Sequence, residues 1–179
     1  MIRILIRFFS SLRAGKRSEA ISEAWRELCS RPHGKLIFAW LICFMSPFNL
    51  FIFARVEEMI PDYCEARMRI RWWKKNPFGT GHAIALAGLA EVAANAAFFA
   101  YVPDHMKIAV VGHGAGTYHK WARGMVTAVA KPDMCSTFIF NTDHVYETFV
   151  EIKDEAGSLV YTTSFQMRVW SKDRVKTVA

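Results

Sequence analysis

The chain is 179 residues long, 53% hydrophobic and 14% aromatic, with a formal net charge of +7. That supplies one sizeable core with an extension at most, and excludes general disorder. Five bases and no acid (Arg3, Arg7, Arg13, Lys16, Arg17) lie in the first 18 positions, while the other 161 residues carry 18 bases against 16 acids. The positive charge therefore belongs to one end, which favours contact with an anionic surface there over a nucleic-acid-binding face.

Met1–Leu12 places apolar residues at 2, 5, 6, 9 and 12 with arginines between them, the spacing of a basic amphipathic helix. Three readings fit it: a helix docked on its own domain or frayed, one lying in lipid headgroups, or a targeting sequence. Ser18 is an N-cap candidate for a second helix, with Glu19 in the first turn and Ile21, Ala24, Trp25 and Leu28 on one face. Pro32 and Gly34 should end it. Leu36–Phe53 holds 18 residues without a charge, the lower bound for a membrane span. Ser46–Pro47 interrupts it. The preferred reading is a buried helix to about Met45, a break, and a strand from about Leu50. Residues 1–17 and 36–53 are thus the two segments suited to peripheral membrane contact.

From Leu50 the period changes. Phe51–Glu58 and Cys64–Trp72 read as strands joined by Ile60–Tyr63. In the second, Ala66, Met68, Ile70 and Trp72 alternate with Glu65, Arg67, Arg69 and Arg71. Lys74–Gly81 is a loop with two glycines. His82 to about Tyr101 reads as a helix with nine alanines and one acid, Glu91. Small residues almost all round mean close approach of other backbone on several sides. Lys107–Lys120 and Ala122–Ala130 are expected to pair antiparallel. Gly112, Gly114 and Gly116 in the first mark a bulge, a bend or a close approach. Lys131–Asp143 connects to a hairpin, His144–Lys153 and Leu159–Ser171, and the Lys172–Lys176 region gives a solvated end. The order β-β-α-β-β-β-β argues against a Rossmann-type fold. The expected division is a helical and apolar extension over 1–49 and an α+β domain over 50–179.

Asn76, Gly79, His82 and Glu91 form N-x-x-G-x-x-H with an acid nine residues after the histidine. In this the chain resembles the hotdog superfamily. It is most similar to the phenylacetate-pathway-type acyl-CoA thioesterases and to a related group of hotdog domains of unknown function. The resemblance covers roughly Leu50–Ser171. It implies an antiparallel sheet wrapped around one long Ala-rich helix, and acyl-CoA or another acyl thioester as substrate with no further cofactor. It also implies a homodimer or dimer of dimers with active sites at the interface. Active relatives carry His-Gly-Gly after the turn; this chain departs from them with His82–Ala83–Ile84.

Elementary chemistry leads to the same residues. A helix N-terminus offers unpaired N–H groups and a positive dipole end to a developing oxyanion. A thioester needs little help to leave, so one carboxylate acting as base or nucleophile suffices. Nine helical residues rise about 13–14 Å and turn about 180°. His82 and Glu91 of one chain therefore cannot meet on one atom, and a site using both needs two chains. The catalytic candidates are Glu91, His82, Ala83 and Asn76. Gly79, Thr80, Gly81, Asn95, Arg71 and Lys74 are candidates for binding substrate, Thr80 also for capping the helix. Structural roles fit several of these equally: His82 as a cap, Glu91 as a buried acid paired to Arg71 or Arg123, and the basic run Arg67–Lys75 as a solvated strand face. A buried, unpaired acid would be costly, which is what singles Glu91 out.

His113, Tyr118, His119 and Lys120 read as structural. Cys29, Cys43, Cys64 and Cys135 lack ligand spacing and suit a reducing compartment. GxSxG, Walker, GxGxxG and HExxH motifs are absent, and no metal site is supported. The expected setting is the cytoplasm, with or without membrane contact. Two competing functions stay open: a non-catalytic fatty-acyl or lipid-binding protein at a membrane surface, and a dehydratase or hydratase on the same fold.

Overall fold

The structure, a computed structural model, describes residues 2–99, 102–103, 105–133 and 143–171. The end of the expected helix at Ala100–Tyr101, most of the connector, Cys135 and the Lys172–Lys176 region lie outside them. Four helices come first: α1 (Ile2–Arg13), α2 (Arg17–Leu28), α3 (Gly34–Met45) and the single turn α4 (Asn49–Ile52). The strands β1 (Arg55–Ile60) and β2 (Tyr63–Arg69) lead through a 3₁₀ turn, Trp72–Lys74, to the long helix α5 (Ala83–Phe99). Then follow β3 (Met106–His113), the two-residue β4 (Thr117–Tyr118), β5 (Met125–Pro132), β6 (His144–Asp154) and β7 (Leu159–Ser171). All pairs are antiparallel, and the sheet order is β1-β2-β5-β6-β7-β3, with β4 also on β7. This is the expected α+β hotdog arrangement: an antiparallel sheet around one Ala-rich helix.

The pairing within the sheet differs from the expectation. The segments beginning at Lys107 and Ala122 do not pair with each other. β5 lies between β2 and β6, and β3 lies at the edge beside β7. Burial explains the choice. Val126, Ala128 and Ala130 of β5 are fully buried, and α5 offers the fully buried Leu89, Ala90, Ala93, Ala94 and Ala97. Small side chains on both elements allow close approach, so β5 takes the centre of the sheet. β3 is only partly buried and has a register shift between Val110 and Gly112, features suited to an edge. At Gly112, Gly114 and Gly116 the close approach comes from β7's own side chains Gln166, Ser164 and Tyr161.

Three local expectations are also corrected. Ser18 is not a cap. Lys16 holds that position without a side-chain bond, and Ser18 is buried in the first turn of α2. α1 is closed off by Gly15 at φ 76°, so the next helix begins at once. The strand expected from Leu50 is helical until Ile52 and extended only from Arg55. After Ser46–Pro47 the chain makes one more turn, Phe53 closes it at φ 44°, and the Lys74 ammonium donates to the Ile52 carbonyl. A cation on the last carbonyls favours a helix end, and this one comes from 22 residues away. Trp72, expected inward, is 80% exposed because β2 ends at Arg69 and the chain turns.

The first three helices share one hydrophobic core with the sheet, through Phe8, Trp25, Leu28 and Phe38 among others. Glu57 ties α3 to β1: it accepts from Lys35 Nζ at 3.0 Å and Arg55 Nε at 2.6 Å. Burial alone would raise its carboxyl, but these two cations hold it below the usual carboxylate range. No helix among the described residues is long and apolar enough to cross a membrane. α3 has 12 residues, about 18 Å at the helical rise.

Gly34 fixes the α2–α3 corner. A Cβ there would lie 1.8 Å from the Leu28 carbonyl oxygen, against backbone that cannot swing aside. Gly34→Ala is expected to lose at least about 1–3 kcal/mol, the usual cost of overpacking. A lower urea midpoint with an unchanged m-value would register it.

Candidate functional site

The turn before α5 is built by one side chain. Asn76 Oδ1 accepts from the Phe78 N–H, the Thr80 N–H and the Thr80 hydroxyl, each at 3.1 Å. Asn76 Nδ2 lies 2.9 Å from Thr80 Oγ1. Gly79 adopts φ 74°, which favours glycine. The Asn76 amide oxygen and the Thr80 hydroxyl are thus spent on the turn, and Thr80 does not cap the helix. Gly81 is pressed against the segment leading into β5: its N–H donates to the Ala122 carbonyl at 2.8 Å, and an added Cβ would lie 2.9 Å from the Ala122 Cβ. His82 supplies the cap, its Nδ1 accepting from the Ile84 N–H at 3.2 Å. The neutral ring then carries its proton on Nε2.

The donors of residues 78–84 can be followed one by one. Phe78 and Thr80 donate to the Asn76 side chain, Gly79 to the Asn76 carbonyl, Gly81 to Ala122, His82 to the Lys74 carbonyl, and Ile84 to the His82 ring. Only the Ala83 N–H has no acceptor among the described residues. It is the first residue of a 17-residue helix, where an unpaired donor meets the positive dipole end. Ala83 is exposed and lines a cleft of about 350 Å³ with Asn76, Thr80, Tyr118, Lys120 and Trp121.

Glu91 lies elsewhere. It and Asn95 line a second cleft, of about 270 Å³, between α5 and the α3–α4 corner. Its walls are mainly apolar, with Ile42, Met45, Phe48 and Ile52 among them, and Ser46 and Asn49 add polar groups. The expectation of a buried acid is corrected. Glu91 is exposed in the single chain, and no ion pair or hydrogen bond to it occurs among the described residues, Arg71 and Arg123 included. The helix buries its other sides against the sheet and α4, and this side faces the cleft. The turn candidates and the acid therefore share no cleft within one chain.

The basic candidates separate as well. Arg71 is exposed, with its guanidinium 5.6 Å from the Trp73 ring centre. Lys74 does not face solvent; it is 5% exposed and bound to the Ile52 carbonyl. Burial, and secondarily Arg71, lowers its pKa from 10.5 to about 8. Below that value both folded and unfolded chains hold the proton, and the folded chain bears a buried charge. Between about 8 and 10.5 the unfolded chain keeps a proton that the folded chain has released, so stability rises with pH there. The unfolding free energy of wild type minus that of Lys74→Met should climb across this window and stay level below it. Urea titrations at several pH values measure that difference.

His113, His119, Tyr118 and Lys120 hold structure, as expected. His113 stacks on Phe165 and bonds to the Thr163 hydroxyl, His119 to Thr162, and Lys120 to Asp154 at 2.6 Å. Tyr118 packs on Tyr161 with ring centres 4.7 Å apart. Among the described residues no cluster of His, Cys, Asp and Glu could hold a metal ion. Sequence reasoning missed Trp121, Tyr118 and Phe78 as walls of the turn cleft. It also missed Asn49 and Ser46 beside Glu91. No local spacing marks them; the β2–β5 pairing and the Gly81–Ala122 contact bring the first group together.

The structure is similar to solved hotdog-fold structures. A structural-genomics crystal structure aligns at TM-score 0.71 and 24% identity over 84% of this chain and 98% of the other. A protein of unknown function from Pseudomonas aeruginosa aligns at TM-score 0.66 and 20% identity over 76% and 95%. A thioesterase from Haemophilus influenzae aligns at TM-score 0.62 and 18% identity over 73% and 87%. At these identities the likeness concerns the fold. No curated protein matches the chain. The family described as Domain of unknown function (DUF4442) matches residues 34–169, and the chain belongs to that family.

Proposed function

We propose that the protein hydrolyses acyl thioesters, acyl-CoA as substrate, at sites shared by two chains of a homodimer or dimer of dimers. Glu91 of one chain accepts a proton from water attacking the carbonyl, or attacks it directly. The Ala83 N–H at the α5 start of the other receives the oxyanion. The C–S bond then breaks and the thiolate leaves, taking the proton that Glu91 accepted from water; where Glu91 attacks directly, water cleaves the acyl–Glu91 anhydride left behind and supplies that proton. His82 positions the helix start, and Asn76, Gly79, Thr80 and Gly81 shape the turn without donating to substrate. Asn95 stands beside the acid in its cleft, and Arg71 is an exposed cation available to a CoA phosphate. The observation that carries this reading is the open backbone donor at Ala83, alone among the backbone N–H groups of residues 78–84 in having no acceptor among the described residues, because an oxyanion site needs a donor that nothing else occupies. The acid in a separate apolar cleft supports the two-chain arrangement.

Hydrolysis of an acyl-CoA panel of different chain lengths tests the reaction. Mixing tests the sharing. Chains carrying Glu91→Ala and chains carrying Ala83→Pro, each inactive alone, should form mixed dimers with one intact site. An equal mixture after subunit exchange should recover about a quarter of the wild-type rate. No recovery, with mixed dimers present, would place both groups in one chain's site or in none.

A second reading has its own observation. Ala83–Ile84 stands where active relatives have two glycines, and Ile84 is 63% exposed at the helix start. A protein that binds fatty-acyl chains without turnover fits that crowding. Acyl chains co-purifying with the protein, with no thiol release from any acyl-CoA, would favour it.

A further inference from the structure

The first four helices leave an apolar face uncovered. On α3, Leu36, Trp40 and Phe44 recur every fourth residue and are 42%, 54% and 65% exposed. On α4 and just before it, Phe51 and Phe48 are 69% and 58% exposed, and Ile6 of α1 is 60% exposed. Ring contacts tie neighbouring elements together along it: Phe9 of α1 meets Phe44 of α3 at 4.9 Å, Trp40 of α3 meets Phe53 just after α4 at 5.1 Å, and Phe48 meets Phe51 at 6.3 Å. Single exposed apolar residues need no explanation, but several clustered on adjoining helices mark an interaction surface.

Charge indicates the occupant. Residues 34–53 contain no acid, and their one charge, Lys35, is bound to Glu57. Beside them α1 carries Arg3, Arg7 and Arg13, all exposed, and no acid. Arg7 reaches Glu27, whereas Arg3 and Arg13 make no ion pair among the described residues. An isologous contact through this face would set two acid-free basic helices against each other. An anionic lipid surface instead accepts both features, aromatic rings at the headgroup level and arginines on the phosphates. α3 is too short to span the bilayer core, so it would lie in the interface.

The face also runs into the acid's cleft. Phe48 is exposed on the face and lines the cleft that contains Glu91, as do the neighbouring Met45, Ser46 and Asn49. We propose that the outer face of α1, α3 and α4 docks on anionic phospholipid bilayers, and that a long acyl chain passes from the bilayer along Phe48 into the Glu91 cleft. The docking stands by itself; the passage of substrate rests on the thioesterase reading.

The test is co-sedimentation of the full chain with vesicles of phosphatidylcholine alone or mixed with phosphatidylglycerol. Wild type should bind the mixed vesicles, more weakly at high salt, and bind neutral ones poorly. Trp40→Ser/Phe44→Ser/Phe51→Ser should lose roughly tenfold or more in binding. Arg3→Gln/Arg13→Gln, at exposed positions, should weaken binding to mixed vesicles only. Glu91→Ala should bind as wild type does, which separates docking from hydrolysis. Hydrolysis of a soluble short-chain acyl-CoA should persist in the triple variant while that of palmitoyl-CoA held in vesicles falls. Wild type left in the supernatant with both vesicle types would overturn docking, as would unaltered binding by both variants. A triple variant whose oligomeric mass changes by light scattering would make the face a contact between copies instead. Equal activity of the triple variant on both substrates would overturn the passage alone.

Discussion

Glu91→Ala should lower acyl-CoA turnover by about 10²–10⁴-fold, the usual contribution of a positioned proton acceptor, and leave the melting temperature unchanged. The two halves of that expectation have separate causes. Glu91 makes no ion pair or hydrogen bond among the described residues and is exposed in the single chain. Its removal breaks no structural contact, and alanine is the better helix former. The loss therefore reads out chemistry and not folding. Stopped-time thiol release from acyl-CoA, with a thermal melt on the same preparation, measures both. Equal rates for wild type and variant, over every chain length that wild type hydrolyses, would remove Glu91 from the mechanism.

Ala83→Pro should cost about 10²–10³-fold in kcat, the usual loss when one oxyanion donor is removed. Proline is chosen because it deletes the N–H and little else. At the first helical position that N–H has no intrahelical partner, and the fixed φ of proline suits a helix start. The Ala83 N–H donates to nothing among the described residues, whereas its neighbours at 82 and 84 donate to the Lys74 carbonyl and to the His82 ring. Stability should hold while turnover falls. Ala83→Gly, which keeps the N–H, should retain activity and is the control for the added ring. A fall in KM affinity with kcat intact would assign Ala83 to binding and not to the oxyanion.

Both expectations concern residues that were legible in the sequence, though not in the form the fold gives them. The N-x-x-G-x-x-H register marked Asn76, Gly79 and His82, and one acid in a run of alanines marked Glu91. Helical pitch alone separates His82 from Glu91, because rise and turn per residue are fixed. Seven open or engaged N–H groups around the turn could not be told apart that way. Whether a backbone donor is free depends on Lys74, on Ala122 and on how the Asn76 amide turns, and these are tertiary facts.

The long central helix, the β6–β7 hairpin, the α3 helix with its break at Ser46–Pro47 and the separation of the basic end from the rest are all legible in the residues. These rest on local periodicity and on proline and glycine, whose constraints act within a few residues. Packing sets the rest: β5 and not β3 lies against α5, Lys74 turns inward to end α4, and Glu91 opens into an apolar cleft beside Phe48. Each of these joins segments far apart in the chain. Such choices follow from which small side chains allow close packing and which polar groups find partners, and neither is written in any one stretch.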